Sequence, residues 1–181
     1  LARKCGLCVP KFTIDSLFKP NIGGICKKPL GFPFKLSINK NSGKEVGVTG
    51  IIEFDENKMF YDGYLWQWQS LIATQSQIRC FFVDGKVWSV AWKREKEEPC
   101  DFRYINQIKG KKILWDQYFL PEEIIKKLSI LMKSLGLNIS APEFLIDQYG
   151  EHVFIDLNPC GDWHGFFPEN INKEIIQAIT K

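Results

Sequence analysis

His152-Val-Phe-Ile-Asp-Leu-Asn-Pro-Cys-Gly-Asp-Trp-His-Gly165 is the stretch from which the fold of this chain can be read. Its first half alternates as a strand does. Val153, Ile155 and Leu157 point one way, and Phe154, Asp156 and Asn158 point the other, with His152 on the face of Asp156. Two oxygen-bearing side chains therefore stand side by side on an otherwise apolar strand. A buried strand gains nothing from an Asp and an Asn unless something pairs with them. A hard cation such as Mg2+, which takes oxygen ligands and shares them with phosphates, is such a partner. Beyond the strand, Pro159 and Gly161 lead into a loop rich in Trp and Phe.

The strand has a hairpin partner immediately upstream, Ser140–Asp147. With the four-residue loop Gln148–Glu151, Asp147 faces His152 and Glu143 lies directly across from Asp156. A three-residue loop would shift the register and send Glu143 to the other face. The first register gathers Glu143, Asp156 and Asn158 as a cluster of hard oxygens. The plainer alternative is that Glu143 is solvated at a strand start and Asn158 merely begins a turn.

Before this hairpin, Pro121–Leu135 reads as a helix with Ile124, Ile125, Leu128, Leu131, Met132 and Leu135 in one stripe. Pro121 suits its first turn and Gly136 its stop. Further upstream, Gln77–Val83 and Lys86–Lys93 are joined by Asp84-Gly85, a strong hairpin signal. Leu65–Ile72 is a hydrophobic linker strand. Residues 31–63 read as a small antiparallel β region with mobile loops, rich in Gly, Asn, Lys and Asp. Ile22–Pro29 reads as a buried strand ending in Lys27 and Lys28. At the start, a helix end gives way at Gly6 to a short strand-like entry, and Ile171–Ile179 closes the chain as a helix. The element order indicates α+β, with helices on one side of mostly antiparallel sheets.

The 181 residues, with 45% hydrophobic and 14% aromatic content, suffice for a sizeable core in one domain or one domain of two lobes. A net charge of +3 without a Lys/Arg block gives no reason to expect nucleic acid. Neither a membrane span nor a signal peptide is visible. The chain opens at Leu1 without a Met, in what reads as the end of a helix, so an excised fragment lacking an N-terminal part is expected. Its six cysteines are scattered through a chain with a real core, which favours a reducing cytoplasm over a disulfide framework. Cys5-Gly-Leu-Cys8 is a lone CxxC without the second ligand pair that a zinc site needs.

Lys28, Arg79, Lys93 and Arg103 each follow, or lie in, an apolar strand and so can project from a sheet into a cleft. Several separated cations facing a carboxylate–metal surface are what a triphosphate requires, although each alone is an ordinary surface charge. There is no Walker-type phosphate loop, GxGxxG, GxSxG or HExxH. Neither His152 nor His164 has an evident Ser or Cys partner, so covalent catalysis by the protein has no support.

These landmarks, in this order, resemble the central and C-terminal parts of ATP-grasp ligases. Within that superfamily they are most similar to the peptide maturases of the graspetide (microviridin-type) and grasp-with-spasm systems. Lys28-Pro29 resembles the lysine that ends a lobe strand over the phosphates, and Trp68-Gln-Ser-Leu-Ile72 the hinge whose backbone holds adenine. The hairpin Ile78–Ala91, Asp101-Phe102-Arg103, Met132–Leu137, Glu143-Phe-Leu-Ile and Phe154–Trp163 follow in the family's order. The family usually has Asp where Glu143 stands and Glu where Asp156 stands, so the two carboxylates are exchanged in length. Gly161-Asp162 replaces a more usual Gly-Gln, on the substrate side.

The resemblance implies two α+β lobes, residues 1–68 and 69–181, with the nucleotide site between them. It implies ATP and Mg2+, as one ion or two, with Lys28, Gln69, Ser70, Leu71, Ile72 and Ile155 on the nucleotide. Glu143, Asp156 and Asn158 would take the metal. Arg79, Arg103 and Lys93 would be the catalytic cations, and the Cys160–Phe167 loop would shape the acceptor site. The implied reaction activates a carboxylate as an acyl phosphate and closes an ester or amide cross-link in a ribosomal peptide. The partner is then a precursor peptide or another carboxylate substrate, with a homodimer left open. Two other readings remain: an ATP-grasp ligase or kinase acting on small molecules, and a non-catalytic relative that binds nucleotide or a leader peptide.

Overall fold

The computed structural model describes residues 1–18, 25–29, 35–38, 45–47, 52–54, 60–95, 105 and 112–180. It divides into two compact units. One comprises Leu1–Val9, Ala73–Glu95 and Leu114–Lys181, the other Pro10–Ile72 and Lys96–Ile113.

The second unit holds a four-stranded antiparallel sheet of β1 (Phe12–Phe18), β2 (Ile25–Pro29), β5 (Ile52–Phe54) and β6 (Phe60–Ser70), ordered β1-β6-β2-β5. A separate two-stranded ribbon pairs β3 (Lys35–Ile38) with β4 (Glu45–Gly47). The antiparallel character expected for residues 31–63 holds in the described strands, and the loops between them lie outside the described residues. Trp66 and Trp68 are buried on one face of β6. The Trp68 indole N–H is satisfied by donating to the Asp15 carbonyl at 3.1 Å, as a buried polar tip must be.

The first unit is a five-stranded antiparallel sheet of β7 (Thr74–Val83), β8 (Lys86–Lys93), β9 (Asp116–Tyr118), β10 (Ile139–Asp147) and β11 (His152–Asn158), ordered β11-β10-β7-β8-β9. Asp84 and Gly85 both take positive φ, 45° and 90°, as a tight turn between twisted strands demands. Helix α1 (Glu122–Leu135) starts after Pro121, whose carbonyl accepts the N–H groups of Ile124 and Ile125, and stops at Gly136 in the left-handed region. Leu128, Leu131 and Met132 of its stripe are buried, whereas Leu135 is exposed. Helix α2 (Glu169–Ile179) begins two residues before the stretch read as helical, directly after Pro168.

The two helices cover opposite faces of this sheet, which corrects the expectation that helices lie on one side. Leu128, Leu131 and Met132 pack with Ile78, Cys80, Phe82 and Phe144, whereas Phe167, Ile171 and Ile175 pack with Phe81, Val83, Val90 and Ala141. The reason lies in β7, where Ile78 and Cys80–Val83 are all apolar and at most 3% exposed. A strand that is apolar at consecutive positions has two faces to bury and needs cover on both. The chain's start contributes as well. A 3-10 turn, Ala2–Cys5, ends at Gly6 in the left-handed region, and Cys8 then forms a parallel bridge to Val153.

The register of the β10–β11 hairpin departs from a simple four-residue loop. Asp147 leaves the pairing with β11, its Oδ1 accepting the N–H groups of Tyr149 and Glu151 at 2.8 Å each. Ile146, not Asp147, therefore faces His152. A β-bulge at Ile155 then shifts the register back, so Glu143 does lie across from Asp156. The bulge also corrects the alternation read from the sequence. Phe154 and Leu157 both pack with the core on the α1 side, and His152 shares that side rather than the face of Asp156.

His152 is half-buried there, and its Nε2 lies 2.7 Å from the Tyr118 hydroxyl. Burial lowers its pKa below the ordinary imidazole value, which fits a neutral ring accepting from Tyr118. Because the unfolded ring binds a proton first, the contribution of this site is present above about pH 6.5 and is lost as pH falls through the lowered value. Thermal melts between pH 7.5 and 5 should therefore show a smaller loss of stability on acidification in His152→Phe than in the parent protein.

Candidate functional site

Alternation places Gln77, Arg79, Glu143, Asp156 and Asn158 on the α2 face of the five-stranded sheet. Glu143 pairs with Arg79 on one side and with Asp156 on the other, and Asn158 pairs with Ala141 of the same face. The three oxygen-bearing residues read from the sequence as a cluster thus share one surface. The register that brings them there depends on the Ile155 bulge.

Both oxygens of Glu143 are engaged. Arg79 Nη1 lies 3.1 Å from Oε1, with side-chain exposures of 9% and 15% for the two partners. Gln77 Nε2 donates to Oε2 at 2.8 Å. Asp156 is exposed and its Oδ1 accepts the Leu157 N–H at 2.9 Å. Asn158 Oδ1 accepts the Cys160 N–H at 3.0 Å, so the side chain does begin a turn, as the plainer alternative had it. These bonds do not exhaust the oxygens, because an ionised carboxylate offers about four lone-pair sites and an amide oxygen two.

Among the described residues no three His, Cys, Asp or Glu side chains cluster as a metal-binding group. The candidate set is instead two carboxylates and an amide. That set fits Mg2+, which is commonly bound through one or two carboxylates and completes its shell with water and phosphate. It does not suit a soft metal, because among the described residues no thiolate or imidazole joins it. Cys80 lies on the other face, and burial together with the Glu143 charge pushes its thiol well above the ordinary range, leaving it an inert core side chain.

The aromatic loop is anchored onto this face. Gly161 has φ +65°, and a Cβ there would sit 2.6 Å from Cε2 of the buried Phe81 ring, so only glycine admits this path. Trp163 packs against Phe81 with ring centroids 4.8 Å apart and the planes tilted by 41°. Phe166 meets Trp115 edge-on and lies under the Arg79 guanidinium, 3.9 Å from its ring centroid. Arg79 is therefore held between a carboxylate and an aromatic ring.

Lys93 stands elsewhere. It pairs with Ser76, and alternation along β8 puts it on the α1 face, exposed, away from Glu143. Arg103 lies outside the described residues. In the four-stranded sheet, Lys28 pairs with Gln67, and Gln69 pairs with Cys26. Lys28 and Gln69 consequently share a face, with Gln67 Nε2 3.3 Å from Gln69 Oε1 between them. Ser70 ends β6, its N–H donating to the Lys11 carbonyl at 2.9 Å, and Leu71 and Ile72 continue as irregular chain. Ile155 is the half-buried bulge residue.

Sequence reasoning missed Gln77. Its position two residues before Arg79 on an otherwise apolar strand was the available signal, since i and i+2 share a face.

No protein-family model matches the sequence, and no curated protein matches it. Solved structures do. The macrocyclase MdnC from Microcystis aeruginosa MRC, bound with precursor peptide MdnA, superposes with TM-score 0.70 at 22% identity, over 98% of this chain and 55% of that one. A RiPP-associated ATP-grasp ligase from Chryseobacterium gregarium, in complex with ADP and a leader and core peptide, gives 0.68 at 19% identity, over 89% of this chain and 50% of that one. The ATP-grasp ligase PsnB, complexed with minimal precursor, Mg and ADP, gives 0.61 at 13% identity, over 99% of this chain and 56% of that one. The chain has the ATP-grasp fold and spans about half the length of these structures. The expected likeness to peptide-maturing members of that superfamily is borne out by the neighbours it finds.

Proposed function

We propose that this chain carries the nucleotide and metal machinery of an ATP-dependent ligase that forms ester or amide cross-links in a ribosomal peptide. The observation that carries the reading is the placement of Glu143 directly across from Asp156, with Asn158 on the same surface and Arg79 beside them. Hard oxygens next to a guanidinium suit a magnesium nucleotide, and the fold is one whose solved members include ligases in complex with ADP and peptide.

In this reading a carboxylate oxygen of the peptide attacks the γ-phosphorus of ATP, the bond to the bridging oxygen breaks, and ADP leaves. A hydroxyl or amine then attacks the acyl carbon, phosphate departs with the bonding electron pair, and the nucleophile loses its proton. The protein supplies position and charge neutralisation rather than a nucleophile. Glu143, Asp156 and Asn158 would hold Mg2+, which neutralises phosphate oxygens when bound. Lys28 and Arg103 would hold phosphates, and Gln69, Ser70, Leu71, Ile72 and Ile155 the adenine. Arg79 would face the transferring group. Lys93, on the other face of its strand, is the least favoured of the cations. Work in the cytoplasm is part of this reading, resting on the scattered cysteines of the sequence; among the described residues no helix is long and apolar enough to cross a membrane.

The test is release of ADP on addition of ribosomal peptides bearing Asp or Glu side chains, followed by mass spectrometry for loss of one water per cross-link. A non-catalytic binder would hold ADP without turnover. In the same assay Lys28→Ala should weaken nucleotide affinity about tenfold, as expected for loss of one charge-assisted contact. An unchanged affinity would remove Lys28 from the phosphates.

A further inference from the structure

Gln77 is a buried polar residue, 6% exposed, on a strand whose neighbours are core side chains. Its Nε2 donates to Glu143 Oε2 at 2.8 Å, while Arg79 takes Oε1 at 3.1 Å. We propose that Gln77 is a positioning residue that, with Arg79, locks the orientation of the Glu143 carboxylate for a divalent cation. The proposal rests on the reading of Glu143 as a metal ligand.

Three features point to this role. The last torsion of a Glu side chain is broad, so a carboxylate held at one oxygen can still swing about that contact. Two donors on separate oxygens fix its plane. Each takes one lone-pair site of a group that offers about four. The residue type also matters. A second Lys or Arg in place of Gln77 would add a positive charge beside the cation, whereas the amide holds the oxygen without repelling it. Glu reaches one methylene farther than Asp would, so it has one more torsion to restrain. An Asp at position 143 would draw back from the amide.

The experiment titrates Mg2+ into the intact protein saturated with ADP, and separately titrates ADP without Mg2+, by calorimetry. Gln77→Leu, which keeps the packing and removes the donor, should weaken Mg2+ binding about tenfold. ADP affinity without Mg2+ should stay near that of the parent, and the melting temperature should fall by only a few degrees for the lost donor. Gln77→Asn, too short to reach, should behave likewise and carries the comparison if the Leu variant does not fold. In a Glu143→Asp background, Gln77→Leu should add less than about twofold, because the shorter carboxylate no longer meets the amide. Parental Mg2+ affinity in a folded Gln77 variant, with affinity lost in Asp156→Ala, overturns the positioning role and leaves the metal site standing. Parental affinity in Asp156→Ala and Glu143→Gln as well overturns both.

Discussion

Asp156→Ala is expected to lower magnesium-dependent ATP turnover by about 100-fold or more while leaving the fold essentially intact. The two halves of that expectation come from separate observations. Asp156 is exposed on β11, and its Oδ1 accepts the N–H of the adjacent Leu157, so its removal opens no core cavity. Exposed substitutions of this kind stay within about 0.5 kcal/mol. Its position opposite Glu143 nevertheless makes it one of the carboxylates that would hold the proposed cation on that face. Turnover is read as ADP release and stability as the melting temperature. Unchanged turnover in a well-folded Asp156→Ala protein would remove the metal assignment, and with it the chief support for the ligase reading.

Glu143→Ala is expected to act in the opposite proportion, costing stability as well as activity. Arg79 is 8% exposed and its guanidinium is held by Glu143 and by the face of Phe166. Removing the carboxylate breaks this buried ion pair, a loss of about 3 kcal/mol. Glu143→Gln retains an oxygen for Arg79 or Gln77 and should cost about 1 kcal/mol, while still depriving the metal of a charge. Chemical denaturation of the three proteins orders them as parent, Gln, then Ala. An Ala variant as stable as the Gln variant would mean that Arg79 relaxes into solvent, and that the clamp on this face is weak.

Much of this arrangement was legible before any coordinates. The Asp84-Gly85 turn, the Pro121 and Gly136 boundaries and the apolar stripe of α1 are local signals, each fixed by the φ preference or spacing of a few residues. The ordered landmarks from Lys28 to Trp163 pointed to the ATP-grasp fold, and the facing of Glu143 and Asp156 was foreseen. The route to that facing was not. Asp147 accepts N–H groups of its own turn in place of pairing with β11, and the extra residue at Ile155 restores the register. Two departures of one residue each cancel, which alternation alone does not reveal. They also explain why His152, expected beside Asp156, lies instead against Tyr118.

By itself, then, the sequence determined the two hairpins of the five-stranded sheet, both helices, the identity of the acidic and basic groups, and the superfamily that such an order of groups resembles, but not the strands Phe12–Phe18 and Asp116–Tyr118. These depend on neighbours within a few residues, or on their order along the chain. Only the tertiary structure decided that helices cover both faces of the five-stranded sheet, that Lys93 lies on the face away from Glu143, and that Gln77 and Arg79 each take one oxygen of that carboxylate. Those outcomes depend on register between strands up to 66 residues apart, where a shift of one residue exchanges the two faces.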